Sequence, residues 1–334
     1  MLDVIEFMKI TDYRLYCGRK VAIGKSKVML ISVRDCFGII RDIRTADLLF
    51  IQRTSNILMY LICLYAKCMN KEIVFDVDDA IFMKRIGKLK NPLYACFDGI
   101  VKTSDYVFAG SHYVWEYAKL LNKNTFLVPT AVITEIFDVR TAVDDVVKPR
   151  DEFVIGWLGA GEIQLQNLML IKEPLRVLSR KYNIAFKMVS SLGSQRIRNA
   201  FRDVAGLKID YGRDNWIALE AIPEAMKGFD VSIMPLIDSP FMRGKCSLKA
   251  LESMAMKIPV VASGVGENNY IIKHMENGYL ANTAEEWIRF IEELINDETK
   301  RRRIADNGYA TVSRDYTIPV IAKKIEEVLR AEGR

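Results

Sequence analysis

The sequence predicts an α/β protein of two doubly wound, Rossmann-like domains, and three observations carry that expectation. Its 334 residues exceed what one hydrophobic core usually serves. Short apolar runs alternate with amphipathic segments almost throughout, the pattern of βα units around parallel sheets. One polar, charged stretch over residues 138–152, with a proline and no sustained period, separates two such runs. The expected organisation is a first domain over 1–140, a linker over 141–152, a second domain over 153–316 and a closing segment over 317–334.

In the first domain the apolar runs place strands at Val28–Val33, Leu48–Gln52, Ile73–Phe75, Tyr106–Ala109 and Thr125–Val128. Helices fall near 36–45, 55–69, 92–103 and 111–121, and Ser111 is a hydroxyl suited to cap the last of them. Residues Met1 to Tyr16 give no clear element. In the second domain strands fit Phe153–Leu158, Phe186–Ser190, Leu207–Tyr211, Val231–Pro235, Pro259–Ala262 and Gly278–Leu280. Ile318 to Leu329 carries apolar residues at helical spacing and needs a surface to cover.

Composition narrows the class. Half the residues are hydrophobic and 27% are charged, which is ordinary for a soluble globular enzyme. The cysteines, at 17, 36, 63, 68, 96 and 246, form neither a CxxC pair nor a metal-ligand spacing, which suggests reduced thiols in a cytoplasmic compartment. With only His112 and His274 present, no metal site is expected. The N-terminus has no signal pattern, and the apolar stretch Ile57 to Cys68 is too short for a membrane span of about twenty residues.

The segment from Met234 to Ser263 is the most informative. An apolar strand ends in Pro235, a loop follows with Arg243 and Lys245, and a short helix starts near Ser247, carries Glu252 and stops before Pro259. A basic loop and the bare amides of a helix N-terminus form a ready phosphate site. Amides around Ser247, Leu248 and Lys249 supply the helix end, and Glu252 is close enough to accept hydrogen bonds from sugar hydroxyls. The same pattern is also that of an ordinary βα unit. A second glycine-rich turn, Gly159-Ala160-Gly161, follows the strand Phe153–Leu158 and is a weaker phosphate signal, since such turns also serve plain chain reversal.

The acidic run Phe75-Asp-Val-Asp-Asp-Ala-Ile-Phe82 ends another apolar strand. Asp76, Asp78 and Asp79 repel one another, so counter-charges or hydroxyl partners are expected, with Lys84 and Arg85 the simplest source.

The segment around Glu252 resembles the donor-binding stretch of glycosyltransferase family 4, retaining enzymes of GT-B fold. Glu252-Ser-Met-Ala-Met-Lys-Ile-Pro-Val-Val-Ala262 is similar to that family's Glu-Ala-Met-Ala-x-Gly-x-Pro-Val-Val-Ala run. The likeness continues through Gly264 to Ile272, Asn277-Gly-Tyr-Leu280 and Glu286-Trp287, and spans most of residues 72–334. The family's earlier glutamate, eight residues before, is replaced by Gly244, and the Arg and Lys-Gly pair often found after the Phe153–Leu158 strand is absent. A subset with Asp-x-Asp-Asp in the first domain and Gly-Lys-Cys-Ser-x-Lys in the second, as in Gly244 to Lys249, resembles the chain better.

That resemblance implies two domains facing across a cleft, with a terminal helix that crosses back to the first. It implies transfer of a sugar, with retention, from a nucleotide diphosphate sugar to a glycan or lipid-linked acceptor, in polysaccharide biosynthesis, with no obligatory cofactor and no metal. Lys245 and Arg243 are implied for the diphosphate, Glu252 for the ribose, and Gly266, Glu267 and Asn268 for a loop near the donor sugar. Asp78 and Asp79 are implied to orient the acceptor hydroxyl or touch the donor sugar. Two alternatives stand beside this. Asp76-x-Asp78 also resembles the first motif of Mg2+-dependent phosphatases of the haloacid dehalogenase type, although Ala80 replaces the usual hydroxyl residue. A GT-B-shaped protein that binds a sugar nucleotide without transfer is the other.

Charge is uneven. Residues 1–150 hold 22 basic against 17 acidic side chains, and residues 151–334 hold 26 against 25. The basic excess concentrates in residues 83–90, read as a solvated loop or as a contact to the anionic inner face of the membrane. Nucleic acid is not an expected partner, because no recognition motif accompanies the charge. If the lipid reading holds, the protein co-sediments with vesicles containing anionic lipid, and the bound fraction falls as salt rises. Equal sedimentation with neutral vesicles argues against it.

Overall fold

The computed structural model describes residues 43–331 apart from 45, 54, 84, 87–88, 91–94, 138–150, 160–163, 190–194, 205 and 213–216, and omits the side chains of 85, 86, 89, 90 and 331. The expected strand Val28–Val33, most of the helix near 36–45 and most of the linker lie outside these residues. The chain divides into two compact units: one comprises residues to Pro129 together with Glu326 onward, the other Thr130–Ile325.

The first unit is built on β1 (Leu48–Gln52), α1 (Ile57–Cys68), β2 (Glu72–Val77), α2 (Phe97–Thr103), β3 (Tyr106–Ala109), α3 (His112–Lys119) and β4 (Thr125–Leu127). Among the described residues its main sheet has four strands, all parallel, in the order β1-β2-β3-β4. A short antiparallel pair, Arg85–Ile86 with Leu89–Lys90, forms within the basic segment 83–90. Strand β3 is buried along its whole length, which is why it reads as an unbroken apolar run. Helix α1 buries Ile62, Cys63 and Ala66, while Ile57 and Leu61 are exposed. Its start is capped by Asn56, whose side chain accepts from the Met59 amide at 2.9 Å. Ser111 caps α3 by accepting from the Val114 amide. No helix of the described residues is long and apolar enough to cross a membrane.

The second unit runs β5 (Phe153–Leu158), α4 (Lys172–Lys181), β6 (Ile184–Val189), α5 (Gln195–Phe201), β7 (Lys208–Asp210), α6 (Ile222–Met226), β8 (Val231–Met234), α7 (Pro240–Arg243), α8 (Leu248–Ala255), β9 (Val260–Ser263), α9 (Asn268–Ile271), β10 (Tyr279–Ala281), α10 (Ala284–Asn296) and α11 (Glu298–Asp315). A last helix, α12, covers Ile318–Ala331. Among the described residues the unit's six strands are parallel in the order β10-β9-β8-β5-β6-β7. Counted from β5, this is the order 3-2-1-4-5-6 of the dinucleotide-binding fold, read from its far edge.

Alternation along β5 sends Ile155 and Trp157 to one face and Val154 and Leu158 to the other, where each joins a separate core. One face is covered by α4 and α10 through Leu175, Leu178, Trp287, Phe290 and Leu294. The other is covered by α8 through Ala250, Leu251, Met254 and Ala255, and a buried hydrogen bond of 2.8 Å between Ser253 Oγ and Ser232 Oγ ties α8 to β8.

Gly156, at the centre of β5, has no room for a side chain: an added Cβ would sit 1.9 Å from the Phe229 ring. Gly156→Ala is therefore expected to destabilise the fold by about 1–3 kcal/mol. Chemical denaturation checks this, and Phe229→Leu in the same chain should recover part of the loss.

Candidate functional site

The order of the second sheet fixes where its ligand loops gather. Strand order reverses between β5 and β8, and in such sheets the crevice lies beyond the carboxyl ends of those two strands. The chain leaves β5 at Gly159 and leaves β8 at Pro235. Ala160 and Gly161 lie outside the described residues; Gly159 packs directly on its neighbour, with an added Cβ only 2.1 Å from the Trp157 ring.

The loop after β8 is held from several sides. The Leu236 amide donates to Ser263 Oγ and the Ile237 amide to Asn167 Oδ1, both at 2.9 Å. Ser239 caps the single turn of α7 by accepting from the Met242 amide at 3.3 Å. Gly266, in the left-handed region at φ 56, lies against the backbone of Arg243, where an added Cβ would meet the Arg243 carbonyl oxygen at 2.2 Å. The Gly264–Asn268 turn and the basic loop are thus one packed body.

Helix α8 starts in an unusual way. Its N-cap, Ser247, has a left-handed backbone (φ 55) and makes no capping hydrogen bond. Serine is a favoured cap because its hydroxyl satisfies an orphan amide of the first turn. Here the Ser247 hydroxyl is buried and has no hydrogen-bond partner. The helix end is therefore not closed by its own cap residue, and it lies between the half-buried Lys245 and Lys249. Leu248, the first residue of α8, is half-buried too. Lys245 Nζ lies 5.0 Å from the centre of the Phe241 ring.

Arg243 has an ion-pair partner in the same loop. Its guanidinium makes a two-pronged ion pair with Asp238, at 2.5 and 2.7 Å, and both side chains are exposed. This pairing holds the Asp238 carboxyl below its ordinary range. Glu252 is buried, at 6% exposure, on α8 itself. Five residues beyond Ser247, it stands ~7.5 Å along the helix axis. Glu267 and Asn268 are buried as well, and Asn268 Nδ2 donates to the Ser263 carbonyl at 2.9 Å, which gives that side chain a role in shaping the turn. Burial and the Glu267 carboxylate together push the nearby Tyr316 hydroxyl up to about 12.

The acidic run belongs to the first unit, at the carboxyl end of β2. Among the described residues a counter-charge comes from Arg53, which the sequence alone did not single out. Lys84 and the Arg85 side chain, the sequence neighbours expected in that role, lie outside the described residues. Arg53 follows β1 in a left-handed conformation (φ 59), with its amide bonded to the Asp76 carbonyl at 3.0 Å. Its Nε lies 3.0 Å from Asp78 Oδ1, and its Nη2 lies 3.5 Å from Asp79 Oδ2. Burial raises the Asp78 carboxyl, and Arg53 opposes that rise. Asp76 accepts from Gln52 Nε2 at 2.9 Å, yet burial pushes its carboxyl up to about 6. Among the described residues no group of His, Cys, Asp and Glu side chains is arranged to hold a metal ion.

Comparison with known proteins follows the same lines. Residues 152–297 match the family model described as "Glycosyl transferases group 1". A curated protein of Xenopus tropicalis, "Glycosyltransferase 1 domain-containing protein 1", is 24% identical over 131 residues, 39% of this chain. The matched stretch spans 35% of that relative's length. Among solved structures, HepE of Anabaena in complex with UDP and glucose is similar with a TM-score of 0.67 and 17% identity, over 89% of this chain and 81% of that one. Sucrose-phosphate synthase of Thermosynechococcus elongatus is similar with a TM-score of 0.65 and 17% identity, over 93% and 82%. These likenesses show the fold: two parallel-sheet, Rossmann-like α/β units of the GT-B class. The phosphatase alternative, built on Asp76 and Asp78 alone, is not favoured by them.

The raised Asp76 carboxyl makes stability depend on pH with a definite sign. A carboxyl with a raised folded-state pKa binds its proton more tightly when folded, so its contribution is full below the unfolded value near 4 and is lost as pH rises through about 6. Asp76→Asn is therefore expected to raise stability at pH 7.5 by about 1–2 kcal/mol, with the gain shrinking as pH falls toward 4. Thermal melts of both proteins across this range check it; a gain independent of pH sinks the assignment.

Proposed function

We propose that the protein transfers a sugar from a nucleotide diphosphate sugar to a glycan or lipid-linked acceptor, with retention at the anomeric carbon. The observation that carries this reading is the start of α8: a helix N-terminus whose cap residue, Ser247, makes no side-chain capping bond and keeps a buried hydroxyl without a hydrogen-bond partner, between two lysines. It stands in the loop that leaves β8, at the reversal point of a dinucleotide-binding sheet. The site suits a group that brings several negative oxygens. The GT-B fold, the family match over 152–297 and the UDP bound by the Anabaena protein support a nucleotide diphosphate sugar as the ligand.

On this reading the diphosphate sits at the amides of Ser247 to Lys249, with Lys245 as its principal cation. Arg243 joins by exchanging Asp238 for phosphate, a modest cost because an exposed ion pair contributes little. Glu252 receives the ribose hydroxyls. As the bond from the anomeric carbon to the phosphate oxygen breaks, its electron pair goes to the leaving diphosphate. The acceptor oxygen attacks from the same face, and its proton passes to that phosphate. Charge grows on the leaving group during the step, so fixed amides and Lys245 stabilise the transition state more than the ground state. Acceptor recognition is assigned to the first unit, with Asp78 and Asp79 as its candidate groups and Arg53 setting their charge.

Melting-point screening against UDP-, GDP-, dTDP- and ADP-linked sugars identifies the donor, because a ligand that binds only the folded state raises the melting temperature. With that donor, Lys245→Ala and Glu252→Gln are each expected to reduce transfer by ~2–4 kcal/mol of transition-state stabilisation while leaving the fold intact. Turnover unchanged in both variants refutes the proposal. Binding without any transfer or donor hydrolysis makes the chain a sugar-nucleotide-binding protein instead.

A further inference from the structure

We infer that Asn167 is a positioning residue for the phosphate-binding loop, acting without touching the ligand; this rests on the donor-site reading above. Residues 235–239 form neither helix nor strand, so their backbone groups need partners from elsewhere. Two consecutive amides find them in side chains from separate parts of the fold. Leu236 N–H donates to Ser263 Oγ at the end of β9, and Ile237 N–H donates to Asn167 Oδ1 in the segment that follows β5. Both acceptors are buried, at 4% and 2% exposure.

Asn167 does more than satisfy one amide. Its Nδ2 reaches Met242 Sδ at 3.6 Å and also donates to Gln164 Oε1. One carboxamide therefore holds the loop at Ile237, before α7, and again at Met242, within α7. Met242 is followed directly by Arg243 and, two residues later, by Lys245. The position of α7 decides where Lys245 and Ser247 meet a ligand.

Filling this space required no polar group. A leucine has the same branched outline, though it is bulkier, and avoids burying a carboxamide, which is tolerated only when its polar atoms are bonded. What the carboxamide adds is direction, because its acceptor and its donor each have a fixed partner on the loop.

The segment that follows β5 is thereby coupled to the loop that follows β8, across the point where strand order reverses. Asn167 and Ser263 act as two pins on adjacent residues. Removing either leaves a backbone amide without its acceptor and frees the loop to shift.

The test compares the nucleoside diphosphate that the wild-type chain binds, from UDP, GDP, dTDP and ADP, with its parent nucleoside, by calorimetry on the full chain. Asn167→Leu is expected to weaken diphosphate binding about tenfold and to leave nucleoside binding within about twofold, since only the phosphate-binding loop moves. Ser263→Ala should do the same, and it carries the test alone if Asn167→Leu does not fold. Equal loss for both ligands means general loosening and overturns the inference, as does no loss for either. Lys245→Ala separates the two claims: if it leaves diphosphate affinity intact, or the wild type binds none of the four, the donor-site reading falls. If it abolishes binding while the Asn167 and Ser263 variants bind normally, only the positioning role falls.

Discussion

The start of α8 is the constraint on which the chemistry of the second unit depends. A helix leaves its first amides without intrahelical partners, and a serine at the cap normally satisfies one of them, worth about 1 kcal/mol. Ser247 stands at that position with its backbone in the left-handed region and its hydroxyl buried without a partner. A left-handed backbone at a residue with a Cβ costs roughly 1–2 kcal/mol, and an unsatisfied buried hydroxyl costs about as much again. The packing around Ser247 offsets such a cost in the folded chain, and on the proposed reading a ligand offsets more of it. On the proposed reading that ligand is an anion with several oxygens, which would accept from the amides and the hydroxyl together and meet the positive end of the helix dipole.

The rest of the second unit keeps that start in place. Sheet order brings the loops after β5 and β8 to the same crevice, Ser253 and Ser232 tie α8 to the sheet, and Gly266 lets the next turn lie flat on Arg243. These are contacts of backbone with small or neutral side chains, which cost little entropy to order. The charged side chains remain more accessible: Arg243 is exposed and Lys245 half-buried. Rigid amides with adaptable cations suit a ligand whose charge grows during reaction, since the amides need no reorganisation and the cations can follow.

The first unit concentrates charge by a similar device. Arg53, also left-handed, stands where β1 ends beside β2 and faces Asp78 and Asp79. Parallel pairing of Gln52 with Asp76 sets this arrangement, so the cation reaches the carboxylates from the neighbouring strand. It moderates the repulsion within the run but does not cancel the effect of burial, which still raises Asp76 and Asp78.

Much of this was legible in order of residues alone. Leu48–Gln52, Tyr106–Ala109 and Phe153–Leu158 fall at the bounds read from their apolar runs. The last two are buried strands of a covered parallel sheet, which need continuous apolar sequence, and the first is a half-buried edge strand among the described residues. The edge strand β7 is shorter than its run suggests, with both ends exposed. The start of α8 and its lysines were visible as a basic loop before a helix. Arg53, Asn167 and Ser263 were not, since they are common residues far in sequence from what they hold. Arg243 was visible, but its pairing with Asp238 was not. Local chemistry, meaning which segments are strands, where a helix begins and where cations cluster, is determined by neighbours along the chain. Which carboxylate meets which guanidinium, and which carboxamide pins which loop, was decided only by the tertiary structure, because strand register and sheet order bring together residues that no local pattern connects.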